Sequence, residues 1–119
     1  MKRILLVDDE PNLLILFEME LEEYEELHLD TATSGEVALN LIKKNQYDAI
    51  LTDLTMPFMN GLELLEKIKN ENIQIPIKFV LSGNPRDYYE GQRSSLEVTK
   101  YVEKPYDIEL LIKDLLTFL

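Results

Sequence analysis

The sequence predicts an α/β fold, a doubly wound parallel sheet with helices on both faces, and three observations carry that prediction. Blocks rich in apolar and β-branched residues alternate five times with stretches of helical periodicity. Every such block except the second ends on a polar side chain. The chain has 119 residues, 45% hydrophobic and 29% charged with only 4 Gly and 5 Pro, which describes one globular domain spanning 1–119 rather than two cores or a disordered tract. Strand and helix in strict alternation demand right-handed crossovers between parallel strands.

Arg3 to Val7 is a short apolar run stopped by Asp8-Asp9, as suits a strand buried on both faces. Pro11 at a first turn, with Leu13, Leu16, Phe17, Leu21 and Tyr24 at helical spacing, predicts a helix to about Glu25. Leu27 to Thr31 is a weaker second strand, and Ser34 is the N-cap expected for a helix carrying Val37, Ala38, Leu41 and Ile42. Tyr47 to Thr52 is the third strand, ending on Asp53. Met56 to Gly61 reads as a loop by its Pro and Asn-Gly signals, and Leu62, Leu65 and Ile68 mark the next helix. Ile75 to Leu81 is the fourth strand, closed by Ser82-Gly83-Asn84-Pro85. Arg86 to Leu96 shows no clean apolar stripe, so a short or irregular fourth helix is expected there. Val98 to Val102 makes the fifth strand, and Ile108, Leu111, Ile112, Leu115 and Leu116 place a fifth helix at the end of the chain. With no linker, repeat or low-complexity tract, no attached output domain is expected.

Charge and residue type exclude several functions. A net charge of −11 repels phosphate backbones and anionic lipid, so neither nucleic-acid nor membrane partners are expected. The absence of Cys removes thiolate chemistry, and His28 alone builds no multi-histidine metal site, so any metal must be held by oxygen. Without an apolar run long enough to span a bilayer or serve as a signal peptide, an intracellular, cytoplasmic protein is expected.

In open parallel sheets, ligands bind beyond the carboxyl ends of the strands, where strand order reverses. That rim would carry Asp8, Asp9 and Glu10 from the first strand, Asp53 from the third, Ser82 from the fourth, and Lys104-Pro105 from the fifth. Were the order 2-1-3-4-5, the first and third strands would be neighbours and the acids would converge. Clustered carboxylates take up protons unless a cation compensates them, and an all-oxygen donor set suits Mg²⁺, with Mn²⁺ able to substitute. A metal, the Lys104 ammonium and the Ser82 hydroxyl could meet the three equatorial oxygens of a transferring phosphoryl group, with Asp53 as nucleophile.

Asp8-Asp9-Glu10, Asp53-x-x-Met56-Pro57-x-x-x-Gly61, Leu81-Ser82 and Tyr101-x-x-Lys104-Pro105, in this order from residue 3 to the end, resemble the receiver domain of two-component response regulators. The resemblance implies a flavodoxin-like sheet of order 2-1-3-4-5 with five helices. It implies that Asp53 accepts a phosphoryl group from a sensor histidine kinase or a histidine phosphotransfer protein, in a domain that catalyses its own phosphorylation and dephosphorylation without being an enzyme in the turnover sense. Asp9, Asp53 and the carbonyl of Thr55 would ligate Mg²⁺, with Asp8 acting mainly through a water. Ser82 and Lys104 would contact the phosphoryl, Ser82 and Tyr101 would form the switch, and the Lys104-Pro105 peptide would be cis. The face made by the fourth helix, fifth strand and fifth helix would then meet an unidentified downstream protein, the domain being a monomer or a weak phosphorylation-dependent dimer. Gly83, where the family commonly has Ala, and Leu96-Glu97-Val98, in place of an Ala-Gly-Ala turn, depart from the pattern near that face. Thr55 and Asn84 occupy positions that tune access of water.

An Mg²⁺-dependent aspartyl-phosphate phosphohydrolase is the enzymatic rival, but its second acid would fall at Thr55. A receiver severed from a DNA-binding output domain is another alternative. Leu14 and Ile15 fall off the expected stripe of the first helix, so together with Pro105 and Tyr106 they are expected to form an exposed docking surface for a histidine-bearing helical bundle.

Overall fold

The computed structural model describes residues 1–83 and 95–119. Its elements are β1 (Lys2–Val7), α1 (Pro11–Leu21), β2 (Leu27–Ala32), α2 (Gly35–Lys44), β3 (Ala49–Asp53), α3 (Gly61–Asn70), β4 (Ile77–Ser82), β5 (Lys100–Glu103) and α4 (Ile108–Phe118). The five strands form one parallel sheet in the order β2-β1-β3-β4-β5, as expected. The helix expected over Arg86 to Leu96 lies outside the described residues except for Ser95 and Leu96, and so does Asn84. Among the described residues, no helix is long and apolar enough to cross a membrane.

The central strands β1, β3 and β4 are buried on both faces, their side chains alternating between two layers. Leu5, Val7, Ile50 and Val80 point into the layer under α2 and α3. Ile4, Leu6, Leu51, Phe79 and Leu81 point into the opposite layer under α1 and α4. Local chemistry sets the helix ends. The Ser34 hydroxyl accepts from the Val37 N–H at 3.1 Å, as its position predicts. Asn60 and Glu63 close a reciprocal capping box at the start of α3, at 2.8 and 3.0 Å.

Helix α1 departs from expectation in length and phase. It ends at Leu21, not near Glu25, because Glu22, Glu23, Glu25 and Glu26 would add negative charge where the helix dipole is already negative. Its buried positions are Leu14, Phe17 and Leu21, so Leu14 lies in the core and Leu16, assigned to the inner stripe, is 51% exposed. Residues Leu13 to Phe17 are uninterruptedly apolar, and such a run carries no periodicity from which its inner face could be read. Leu14, being buried, forms no part of a docking surface, while Ile15 is exposed as expected. Strand β4 starts two residues late, immediately after Pro76, which has no N–H for the ladder.

Candidate functional site

The carboxyl ends of β1 and β3, adjacent in the sheet, deliver the acids to one place. One carboxylate oxygen from each of Asp8, Asp9 and Asp53 lies within 4.8 Å of the others, although Asp53 is far along the chain from the first two. Asp8 and Asp53 are buried, and Asp9 is exposed. The Glu10 N–H donates to Asp8 Oδ1 at 2.9 Å, fixing the carboxylate in the turn that leads into α1. Asp8 Oδ2 is buried and accepts no hydrogen bond among the described residues.

Lys104 comes to the same place from the loop after β5, through a cis Lys104-Pro105 peptide as expected. The Lys104 N–H donates to the Ser82 carbonyl at 2.8 Å, tying the ends of β4 and β5 together. Its Nζ donates to Asp53 Oδ1 at 2.9 Å and stands 3.6 Å from Asp8 Oδ2, an ion pair too long for a hydrogen bond. Burial alone would lower the ammonium's pKa, but the Asp53 hydrogen bond and the charges of Asp53 and Asp8 outweigh it and raise it. Burial raises the Asp8 carboxyl, helped by repulsion from Asp53 and Asp9 and opposed by the Glu10 N–H and Lys104. One ammonium thus leaves the three acids undercompensated. Their all-oxygen donor set, with one buried carboxylate oxygen that accepts no hydrogen bond among the described residues, fits a hard divalent cation such as Mg²⁺.

The remaining expected residues surround this centre. Ser82 is buried at the last position of β4, and its register partner on β5 is Glu103. Thr55 is exposed, two positions beyond Asp53. Tyr101 is half-buried and packs against the core layer under α2 and α3. Gly61 opens α3 directly against Asp53: its N–H donates to the Leu54 carbonyl at 2.8 Å, and a Cβ there would stand 3.2 Å from Asp53 C and closer still to Asp53 O.

Sequence reasoning missed two features. Tyr106, expected in a docking surface, has its ring 6.1 Å from that of Phe17 and its hydroxyl buried without a partner among the described residues. Burial and the charges of Asp8, Asp53 and Glu10 hold its phenol well above the ordinary tyrosine range. Lys78, the second residue of β4, is buried and donates to the Ile75 carbonyl at 2.7 Å. No pattern in the sequence marks either, since both arise from packing between distant segments.

Three comparisons bear on this geometry. The family model for the response regulator receiver domain matches residues 4–116. The response regulator ArlR of Staphylococcus saprophyticus is 36% identical over 112 residues, 94% of this chain but 50% of the relative, so the chain spans about half the length of the curated relatives it matches. Among solved structures, the response regulator TrrA of Thermotoga maritima, described as a complex with Mg(2+)-BeF, superposes with a TM-score of 0.82 at 34% identity over 100% of both chains. A CheY-like receiver domain protein of Methanospirillum hungatei superposes at a TM-score of 0.86 and 25% identity, covering 98% of this chain and 93% of the other.

Proposed function

We infer that this chain, which belongs to the response regulator receiver domain family, accepts a phosphoryl group on the carboxylate of Asp53. The observation that supports this best is the buried Asp53 carboxylate, flanked by two further acids and hydrogen-bonded to Lys104 at the switch point of the sheet. An Asp53 oxygen attacks the phosphorus of a phosphohistidine, the P–N bond breaks, and its electron pair returns to the imidazole nitrogen. Lys104 Nζ, already on Asp53 Oδ1, turns to a phosphoryl oxygen, and the Ser82 hydroxyl donates to another. Asp9, Asp53 and the Thr55 carbonyl would hold Mg²⁺, or Mn²⁺, with Asp8 acting through a water. When bound, the cation supplies the positive charge that three acids and a phosphoryl group require.

As Ser82 is drawn to the phosphoryl, Tyr101 turns further into the core and the β5 face changes shape for a downstream protein. The curated relatives are about twice as long, so a receiver within a longer regulator stands beside a single-domain protein as a reading of the whole. Nothing favours the phosphohydrolase, which needs a second acid at the position that Thr55 occupies.

The phosphodonor is a histidine kinase or a histidine phosphotransfer protein. A groove of about 450 Å³ between α1 and the segment 104–108, lined by Leu13, Leu16, Pro105 and Tyr106, lies beside the acids. With Ile15 and Met19 exposed next to it, this face offers the apolar anchors an amphipathic helix needs to bring its histidine to Asp53. Changing Ile15 and Leu16 together to Ser should slow transfer from a phosphorylated histidine protein about tenfold more than labelling by a small phosphodonor. Equal slowing of both reactions would remove the docking surface.

The acceptor assignment is tested by intact mass after incubation with a small phosphodonor and Mg²⁺. The wild type should gain one phosphoryl group that Asp53→Asn does not. An unmodified wild type, or equal labelling of the variant, would refute it.

A further inference from the structure

At the end of β4 opposite to Ser82, a cavity of about 190 Å³ lies between the end of α3, the start of β4 and the segment before β5. Lys78 lines it, with a side chain only 9% exposed. Its Nζ donates to the Ile75 carbonyl at 2.7 Å. The carboxylate it faces, Glu97 Oε2, stands 3.9 Å away, beyond hydrogen-bond reach, on a side chain that is 79% exposed. An ammonium carries three N–H donors, so two of them have no protein acceptor among the described residues. Burial pushes the pKa of this ammonium down, and Glu97 offsets only part of that. A buried charge paired so loosely is costly, and a counter-ion in the adjoining space relieves the cost.

The rest of the cavity suits such an ion. Lys69, in the last turn of α3, brings a second ammonium, held by its hydrogen bond to the Ser95 carbonyl at 2.5 Å. Two ammoniums against the Glu97 carboxylate leave one positive charge here, in a chain whose net charge is −11. The carbonyls of Lys67, Ile68 and Lys69 that end α3 already accept from the N–H groups of Glu71, Ile73 and Asn72, at 3.0, 3.1 and 3.0 Å. Ile68 and Leu96, both buried, form an apolar wall. We propose that this cavity is a second ligand site, which takes a small aliphatic carboxylate: its carboxylate group meets Lys78 and Lys69, and its short tail lies on Ile68 and Leu96. None of these residues belongs to the acid rim, so the site stands apart from the phosphoryl-acceptor reading.

The test is a titration of the ¹⁵N-labelled full chain with sodium butyrate, followed by amide NMR spectra and matched against sodium chloride at equal ionic strength. Butyrate should move the amide signals of Ile73, Lys78 and Glu97 saturably, with a dissociation constant of about 1 mM, the ordinary range for a ligand of so few atoms. Chloride should not. Lys78→Met keeps most of the stem and removes the charge, and it should abolish the response. Lys69→Gln changes an exposed residue and leaves Lys78 in place, so it keeps the proposal testable even if the Lys78 variant folds poorly; it should weaken binding about threefold, the scale of an exposed ion pair. No saturable change in the wild type, the same response in Lys78→Met, or an equal response to chloride would overturn the proposal. So would shifts confined to the acid rim, or wild-type affinity in Lys69→Gln.

Discussion

Lys104→Met is expected to slow labelling of Asp53 by a small phosphodonor about a hundredfold, the scale on which a single charge-stabilising donor acts in group transfer. The apolar stem survives and the hydrogen bond from Nζ to Asp53 Oδ1 is lost. Mg²⁺ binding should persist or tighten, because the site loses a cation that competes for the same carboxylates. The metal-free protein should lose about 2 kcal/mol at pH 7, since Asp8 and Asp53 remain buried without their counter-charge. The sign of the pH dependence follows from Asp8. Its carboxyl is raised above the ordinary value of 3.8 in the folded protein, so within that window the folded state binds more protons than the unfolded one and stability falls as pH rises. Removing the ammonium raises the carboxyl further, so the deficit of the variant should grow between about pH 4 and pH 7 and shrink again in acid. Melts in chelator across that range, paired with labelling rates, check both parts. A wild-type labelling rate would exclude Lys104 from phosphoryl transfer.

Gly61→Ala should cost about 3 kcal/mol and impair labelling of Asp53, because the new methyl group meets backbone that has nowhere to move. Its Cβ would stand 3.2 Å from Asp53 C and Leu54 Cα, and closer still to the Asp53 carbonyl oxygen. Relief requires either lifting the start of α3, with its Asn60–Glu63 capping box, or turning the peptide that orients the acceptor. Gly35→Ala is the control. Its Cβ would meet Met59 Sδ at 2.5 Å, but a thioether on a flexible side chain can swing aside, so a cost of about 1 kcal/mol or less is expected. Denaturant melts of the two variants should separate them clearly. Equal stabilities would mean that the Asp53 backbone yields as readily as a methionine side chain.

The two glycines are a measure of what can be read along the chain. Gly61 belongs to the D-x-x-M-P-x-x-x-G pattern and is legible as part of it, but the contact that makes a side chain intolerable there appears only when α3 returns to the end of β3. The same division holds for the acids. Apolar blocks ending on Asp8-Asp9, Asp53, Ser82 and Lys104 could be read directly, because a strand buried on both faces leaves its polar residues at its ends. The order that makes β1 and β3 neighbours came from the resemblance of those motifs, and the sheet bears it out.

Helix α1 shows where local pattern fails. A continuous apolar run from Leu13 to Phe17 fixes a helix but not its phase, so Leu14 went inside and Leu16 came out, set by packing on the sheet. Tyr106 is the same case beside the site: an aromatic after Lys104-Pro105 in the sequence, a ring against Phe17 with a buried hydroxyl in the fold. The alternation of elements, the chemical types at the rim and the family are legible along the chain, because these are properties of sequence neighbours. Which faces are buried, which acid oxygen accepts no hydrogen bond among the described residues and which glycine has no room emerge on folding, because each depends on distances between segments that meet only when the sheet closes.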